Sequence, residues 1–307
     1  MQIDYTPPPG HEHTLSPHRY RLLVDEAVRV VAQRYAVERV ERGVIHLAGE
    51  AGATAVVNLH NILAAVADHD DEAALLDAVH AHVNTLHDAA AARERVDLSD
   101  YAVARPRLVA RVYPLAAVEQ YVGRSAIVMR QHLPGTYSLL MLDLEGAFSS
   151  VSRARLSEWG VSEPEAFAAT HVNAATADVK LSRTEIDLGT GPLALYLAQE
   201  ENLAASFALA LGAHTPVVVG EHGALVAVPS RALAVVLPLP PAAPKDVAER
   251  FARAARKLID ESYAGHPYAV STEVFWLRRG GGYARITGPD GEVRTPLELA
   301  AVLGGSQ

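Results

Sequence analysis

The chain has 307 residues, half of them hydrophobic, so it is long enough for two domains and can bury a sizeable core. It contains no cysteine, which excludes disulfides, thiolate catalysis and cysteine-ligated metals. The net charge of −9 lies almost wholly in residues 1–100, which carry 16 acidic and 8 basic side chains. This acidity argues against nucleic acid as a partner, because phosphate binding needs clustered basic side chains.

Residues 1–16 include three consecutive prolines and are predicted to be a flexible N-terminal segment. Residues 17–100 are predicted to form an acidic α-β-β-β-α-α subdomain. Ser16 and Pro17 are typical of a helix start, and the apolar face that follows ends near residue 35. The next predicted elements are strands at residues 37–41, 44–47 and 54–59, helical periodicity from residue 61, and a long helix over residues 75–90.

Residues 101–190 are predicted to form a middle α+β segment, and residues 191–307 a C-terminal α-β-β-β-α-β-β-α subdomain. Glycines 189 and 191 favour a boundary at residue 190. The predicted strands are residues 107–113, 126–131, 138–144, 193–197, 217–219, 225–228, 233–237, 270–277 and 283–286. The predicted helices are residues 162–177, 201–211, 246–262 and 296–303.

This order of elements predicts an α+β fold, with mainly antiparallel sheets packed by long amphipathic helices in two or three subdomains. No apolar run reaches the roughly 18 residues of a membrane span, and the N-terminus lacks a signal peptide. We therefore expect a soluble, cytoplasmic protein that does not bind membranes.

Two apolar runs in GALVAVPSRALAVVL, residues 223–237, meet at the polar pair Ser230 and Arg231. Pro229 is expected to interrupt the strand ladder and to lift this pair out of the sheet plane. An arginine fork there can hold a carboxylate or a phosphate. The alternative is a plain β-turn, with Ser230 bonded to nearby backbone and Arg231 in a structural ion pair.

Asp143 and His222 complete the candidate ligand-binding residues. Asp143 and Glu145 share a face of a strand, as paired catalytic carboxylates would, although an exposed strand end explains them equally well. If the protein is an enzyme, it is expected to use Ser230, Arg231, Asp143 or a histidine such as His222 in a cleft.

Histidines are frequent in the acidic stretch of residues 60–100, but their spacing does not favour a metal. His80 and His87 are seven residues apart, whereas helical metal ligands normally stand four apart. The stretch is predicted to be a solvated helix face and is a hypothetical sensor of mild acidification. The histidines concerned are His60, His69, His80, His82 and His87.

The glycine spacing at residues 189–194 fits a dinucleotide loop, but Pro192 lies inside the turn and a strand follows it rather than a helix. We predict neither a metal nor a cofactor.

Several stretches of the chain, in this order and spacing, resemble the YtpQ-like family of uncharacterised bacterial cytosolic proteins. These stretches are TAVVNLHNIL, RPRLVARVYP, LDLEGAFSSVSRARLSEWGVSEPEAF, NLAASFALAL, GALVAVPSRALAVVL and YAVSTEVFWL. The resemblance implies an α+β fold and a cytoplasmic address, and it implies no activity, ligand or catalytic residue.

The sequence contains no nucleophile elbow, phosphate-binding loop or zinc-protease motif. We therefore expect a non-catalytic binding or adaptor protein for a protein partner or a small anionic ligand. The alternative is an enzyme of the hydrolase or transferase type, with a polar cleft around Ser230 and Arg231.

Overall fold

The three-dimensional structure is a computed structural model, and the chain has the predicted α+β fold. Contacts divide it into two compact units, residues 1–95 (unit 1) and residues 96–144 with 148–307 (unit 2). The residues described are 1–8, 11–48, 55–59, 62–63, 66, 71–119, 124–144, 148–176, 179–189, 191–214, 218–264, 268–288 and 290–304.

Unit 1 consists of a four-stranded sheet and two long helices. Its elements are β1 (Gln2–Ile3), α1 (Pro17–Val31), β2 (Val37–Glu41), β3 (Val44–Leu47), β4 (Ala55–Asn58) and α2 (Glu72–Arg95). The strands lie in the order β1-β2-β3-β4, and all neighbours are antiparallel except the parallel pair β1 and β2. The predicted cap is confirmed, since the Ser16 hydroxyl accepts a hydrogen bond from the Arg19 amide.

The N-terminal segment, which the sequence predicts to be flexible, contacts this sheet and α1 through residues 2–5. Gln2 and Ile3 pair with Arg39 and Val40, and the Tyr5 hydroxyl donates to Asp25 at 2.5 Å. The physical reason is that β2 offers unpaired backbone groups at the sheet edge, which a passing extended segment satisfies.

Unit 2 contains two sheets. Its main elements are α3 (Tyr101–Ala104), β5 (Leu108–Pro114), α4 (Leu115–Glu119), β6 (Met129–Arg130), β7 (Thr136–Asp143), β8 (Phe148–Ser150), α5 (Arg153–Trp159), α6 (Glu163–Thr176), β9 (Lys180–Asp187), β10 (Pro192–Gln199), α7 (Ala204–His214), β11 (Ala224–Ser230), β12 (Leu233–Pro238), α8 (Val247–Ala264), β13 (Val274–Leu277), β14 (Tyr283–Arg285) and α9 (Leu297–Gly304). The larger sheet is antiparallel, in the order β14-β13-β11-β12-β10-β9. In the smaller sheet β7 pairs with β5, β6 and β8.

The central strands β11 and β12 of the six-stranded sheet are buried on both faces, which explains their unbroken apolar runs. Phe251 and Val247 of α8 pack with Leu225 on one face. Phe207 of α7 packs with Val226 on the other face. Because successive side chains of a strand point to opposite faces, a strand covered on both sides needs apolar residues at nearly every position.

The predicted boundary lies between β9 and β10 in the sequence, and these two strands are neighbours in one sheet; residue 190 itself lies outside the described residues. These strands pair over eight residues, from Asp187 with Pro192 to Lys180 with Gln199. The sequence did not predict β9, because its residues KLSRTEID include only two apolar side chains. Its pairing with β10, and not its own hydrophobicity, makes it a strand.

In the described part of the chain, no helix is both long and apolar enough to cross a membrane.

Candidate functional site

The polar pair between the two apolar runs forms the turn of the β11–β12 hairpin. Ser230 pairs with Leu233, which leaves Arg231 and Ala232 as the two turn residues. The register shifts between Ala227 and Ser230, so Pro229 lies at an irregularity of the ladder as its missing N–H predicts. Ser230 is nevertheless not lifted out of the sheet. It ends the strand, bridges Ala269 and is 2% exposed.

Arg231 is held by its backbone and covered by aromatic rings. Its N–H donates to the Tyr268 carbonyl at 3.1 Å, and its own carbonyl accepts from the Ala205 N–H at 3.1 Å. The guanidinium carbon lies 3.2 Å from the centre of the Tyr268 ring and 5.6 Å from that of Tyr113. The residue is only 4% exposed, so an arginine side chain is buried at the tip of a hairpin.

A second buried arginine comes from the neighbouring sheet. Arg111 of β5 is 6% exposed, and its Nη2 donates to the Asn202 side-chain oxygen at 3.0 Å. Its guanidinium carbon lies 4.0 Å from the centre of the Phe148 ring. The buried Nε has no hydrogen-bond partner among the residues that the structure describes.

Tyr113 and Tyr268 connect the two arginines into one cluster. Arg111 and Tyr113 are two residues apart on β5 and therefore share a face of the sheet. Burial raises the pKa of Tyr268, the Arg111 guanidinium offsets part of that rise, and Glu201 adds to it. Tyr268 thus stacks on one arginine and lies within the electrostatic reach of the other. We call Arg111, Arg231, Tyr113, Tyr268, Asn202 and Phe148 the arginine–tyrosine cluster.

The charge of this cluster is unusual. Within the described residues, neither Arg111 nor Arg231 forms an ion pair with a carboxylate, although both are more than nine-tenths buried. A buried charge is costly unless it is paired, and buried arginines in proteins normally have an acidic partner. The structural ion pair that the sequence offered as the alternative for Arg231 is not formed in this part of the chain.

The other two candidate residues lie apart from the hairpin turn. His222 precedes β11, and its Nε2 lies 3.3 Å from the Pro241 carbonyl oxygen. His222 lies in the turn before β11 and Ser230 at its far end, so the seven residues of this strand separate them, roughly 20 Å at 3.3 Å per residue. Asp143 lies at the end of β7, on the same face as Leu139, which pairs with Arg111. Four residues, about 13 Å, separate Asp143 from that pairing position. Glu145 lies outside the described residues.

A larger concavity lies elsewhere on unit 2, along α8 and the segment that follows β14. This groove has a volume of about 790 Å³, and its charged side chains are mostly paired within the fold. Arg250 binds Asp246 at 2.7 Å, and Arg253 binds Glu249 at 2.6 Å. Such internally balanced charge gives the groove no net attraction for an anion.

The histidines of the acidic stretch do not assemble into a metal site in the described residues. No group of three or more histidine, aspartate or glutamate side chains is placed to hold an ion there. His60 and His69 lie outside the described residues. Of the others, His80 contacts Glu26 at 2.7 Å, and the pKa values of His82 and His87 are lowered mainly by burial. The helix face is thus partly covered rather than fully solvated.

Sequence reasoning identified Arg231 but missed the other five members of the cluster. A signal for them existed. Each lies in one of the stretches that carry the family resemblance, namely RPRLVARVYP for Arg111 and Tyr113, LDLEGAFSSV for Phe148, NLAASFALAL for Asn202 and YAVSTEVFWL for Tyr268.

The chain was compared with protein-family models, curated proteins and solved structures, and none of them matches. The resemblance to the YtpQ-like family therefore remains a prediction from the quoted residues.

Proposed function

We propose that this protein is a non-catalytic binding protein for a small anion with a carboxylate or phosphate group, held by Arg111 and Arg231. The observation that carries the proposal is the burial of two guanidinium groups that form no ion pair with a carboxylate within the described residues, although the Glu201 charge reaches Tyr268 of the same cluster. A bound anion would supply the missing charge.

The stacking geometry supports this role for the arginines. A guanidinium carries its five N–H donors in its plane, and an aromatic ring on its face uses none of them. Tyr268 and Phe148 therefore cover the two guanidinium groups without using their N–H donors. In Arg111 the Nη2 already donates to Asn202, and the Nε is the donor without a partner within the described residues. Planar forks of this kind match the oxygens of carboxylates and phosphates, often through two hydrogen bonds at once.

Binding agrees better with the geometry than does the alternative of an enzyme. A serine nucleophile needs a base within hydrogen-bonding distance of its hydroxyl. His222, the proposed base, is separated from Ser230 by the length of β11. Tyr268 has a raised pKa and so stays protonated at neutral pH, as a hydrogen-bond donor and not as a base.

Isothermal titration calorimetry with inorganic phosphate and with acetate, at low salt and pH 7.5, tests the proposal. We expect one of the two anions to bind the wild-type protein. Arg231→Gln and Arg111→Gln should each weaken binding by roughly tenfold to a hundredfold, because each removes charge-assisted hydrogen bonds worth about 1.5–3 kcal/mol. Arg253→Gln is the matched control, since Arg253 is an exposed arginine of α8.

Native mass spectrometry of the purified wild-type and Arg231→Gln proteins provides a second readout that requires no added anion. A retained mass that is released on denaturation and depends on Arg231 supports the proposal. If neither anion releases heat and no mass is retained, or if Arg253→Gln weakens binding as much as Arg231→Gln does, the proposal is wrong.

A further inference from the structure

The six-stranded sheet of unit 2 has one long open edge. β9 pairs with β10 over all eight of its residues without a register shift, and within the described residues no strand lies on its other side. The opposite edge strand, β14, has only three residues. Six of the eight residues of β9 are exposed. Every second backbone N–H and C=O of β9 therefore points outward and is available to another strand.

The side chains of this edge carry balanced charge. Lys180 and Arg183 offset Glu185 and Asp187, so the strand is neutral in a protein whose net charge is −9. Arg183, Glu185 and Asp187 share one face of the sheet, because side chains alternate along a strand. Arg183 lies 3.4 Å from Glu185 of its own chain, and both are more than half exposed. Two copies of β9 can therefore approach each other without the repulsion between two acidic surfaces.

Symmetry leaves few registers for such an approach. A two-fold axis perpendicular to the sheet keeps every side chain on its own face, so it pairs only residues that point to the same face. Such residues lie an even number of positions apart along the strand. The axis therefore passes beside one residue, which stands opposite its own copy. An axis at Thr184 places Arg183 opposite Glu185 of the second copy, twice, with Thr184 opposite itself. An axis at Arg183 places the two arginines opposite each other, which is destabilising. An axis at Glu185 places the two glutamates opposite each other, and this repulsion offsets the two Arg183–Asp187 pairs that the same register forms.

We infer that β9 pairs with β9 of a second copy of this chain, antiparallel and about an axis at Thr184, so that two six-stranded sheets become one of twelve strands. This dimer is independent of the proposed anion site, since β9 contributes no member of the arginine–tyrosine cluster. The two Arg183–Glu185 contacts across the axis select the register, and the backbone hydrogen bonds of the edge provide the pairing.

Charge reversal tests the inference through sedimentation velocity over a series of concentrations. We expect the wild-type protein to dimerise, and Arg183→Glu or Glu185→Arg alone to weaken the dimer by about tenfold or more, because each makes two cross-strand pairs repulsive. A one-to-one mixture of the two variants should form a heterodimer, in which both pairs are again attractive. Both positions are exposed, so the fold should survive.

A disulfide cross-link tests the register itself. Because the chain has no natural cysteine, an introduced cysteine can form a disulfide only with its copy in a second chain. Thr184→Cys should form an intermolecular disulfide on oxidation, since opposite Cβ atoms in an antiparallel pair lie about 4.5–5.5 Å apart. Lys180→Cys is the matched control, because its two copies would stand eight residues apart, about 26 Å.

Three results would each overturn the inference. One is a wild-type protein that sediments as a monomer throughout the series. Another is a dimer that both charge-reversed variants retain, which would place the interface elsewhere. The third is a Thr184→Cys protein that cross-links no faster than Lys180→Cys.

Discussion

We expect His132, between β6 and β7, to make the stability of unit 2 sensitive to acid. Its ring lies 5.3 Å from that of Phe167 and 5.7 Å from that of His171, between ring centres. Neither ring nitrogen has a hydrogen-bond partner among the described residues. Burial lowers the pKa of His132 to about 3, with smaller contributions from the positive charge of Arg130 and from His171. The folded protein therefore holds this imidazole in its neutral form.

The sign and size of the effect follow from this lowered pKa. Above the unfolded-state pKa of about 6.5 both states hold a neutral ring, and the stabilisation is fully present. Below it the unfolded state takes up a proton and the folded state does not, until the pH approaches about 3. As the pH is lowered between these two values, the free energy of unfolding therefore decreases by up to about 1.4 kcal/mol per pH unit. From pH 7.5 to pH 5 the loss from His132 is about 2 kcal/mol.

Replacement of His132 by leucine should remove this loss without breaking a hydrogen bond. Both tryptophans, Trp159 and Trp276, lie in unit 2, so their fluorescence follows the unfolding of the unit that contains His132. We expect the Tm of His132→Leu to fall less than that of the wild type between pH 7.5 and pH 5. The difference should be about 4–8 °C, since 1 kcal/mol is worth about 2–4 °C in a unit of this size.

The control is His13→Leu, because His13 is exposed and lies in unit 1. The remaining histidines whose pKa is lowered by burial stay in both proteins and cancel in the comparison. They are His11, His46, His82 and His87. If His132→Leu and the wild type lose the same stability between pH 7.5 and pH 5, the neutral buried state assigned to His132 is wrong.

Two further variants test the packing of unit 2 by denaturant unfolding. Gly223 has φ of +86°, and a Cβ there would lie 2.0 Å from the Leu277 carbonyl oxygen, so Gly223→Ala should cost at least about 2 kcal/mol. Gly160→Ala, at φ +65° with open space around it, should lower the free energy of unfolding by only about 1 kcal/mol. Equal losses for the two variants would contradict the predicted clash at Gly223. Phe251→Ala should lower the free energy of unfolding by about 3–5 kcal/mol, because Phe251 is fully buried between α8 and the sheet. A loss under about 1 kcal/mol would mean that α8 does not cover this face of the sheet.

The sequence predicted the elements whose cause is local. The apolar positions of α1 recur with the helical period, and the structure buries them. In α8 the structure buries Val247, Phe251 and Ile259 as the period predicts. Ala254 and Leu258, which were predicted to face inward, are exposed. Ser162 and Glu165 form the expected capping box, with the Glu165 carboxylate accepting from the Ser162 amide at 3.0 Å. The sequence did not predict β9, because this strand has few apolar residues and forms through its pairing with β10 rather than through a local pattern.

Fold class, the long helices and the apolar character of β11 and β12 were thus determined by the sequence alone, because each depends on residues within a few positions of one another. The short helices α3 and α4 were not predicted. Only the tertiary structure decided that Arg111 is buried, since it looks like any outward-facing residue of LVARVYP. Its hydrogen bond to Asn202 spans 91 positions of the chain. The partners of a buried charge are set by sheet register and hairpin placement, and no local pattern contains that information.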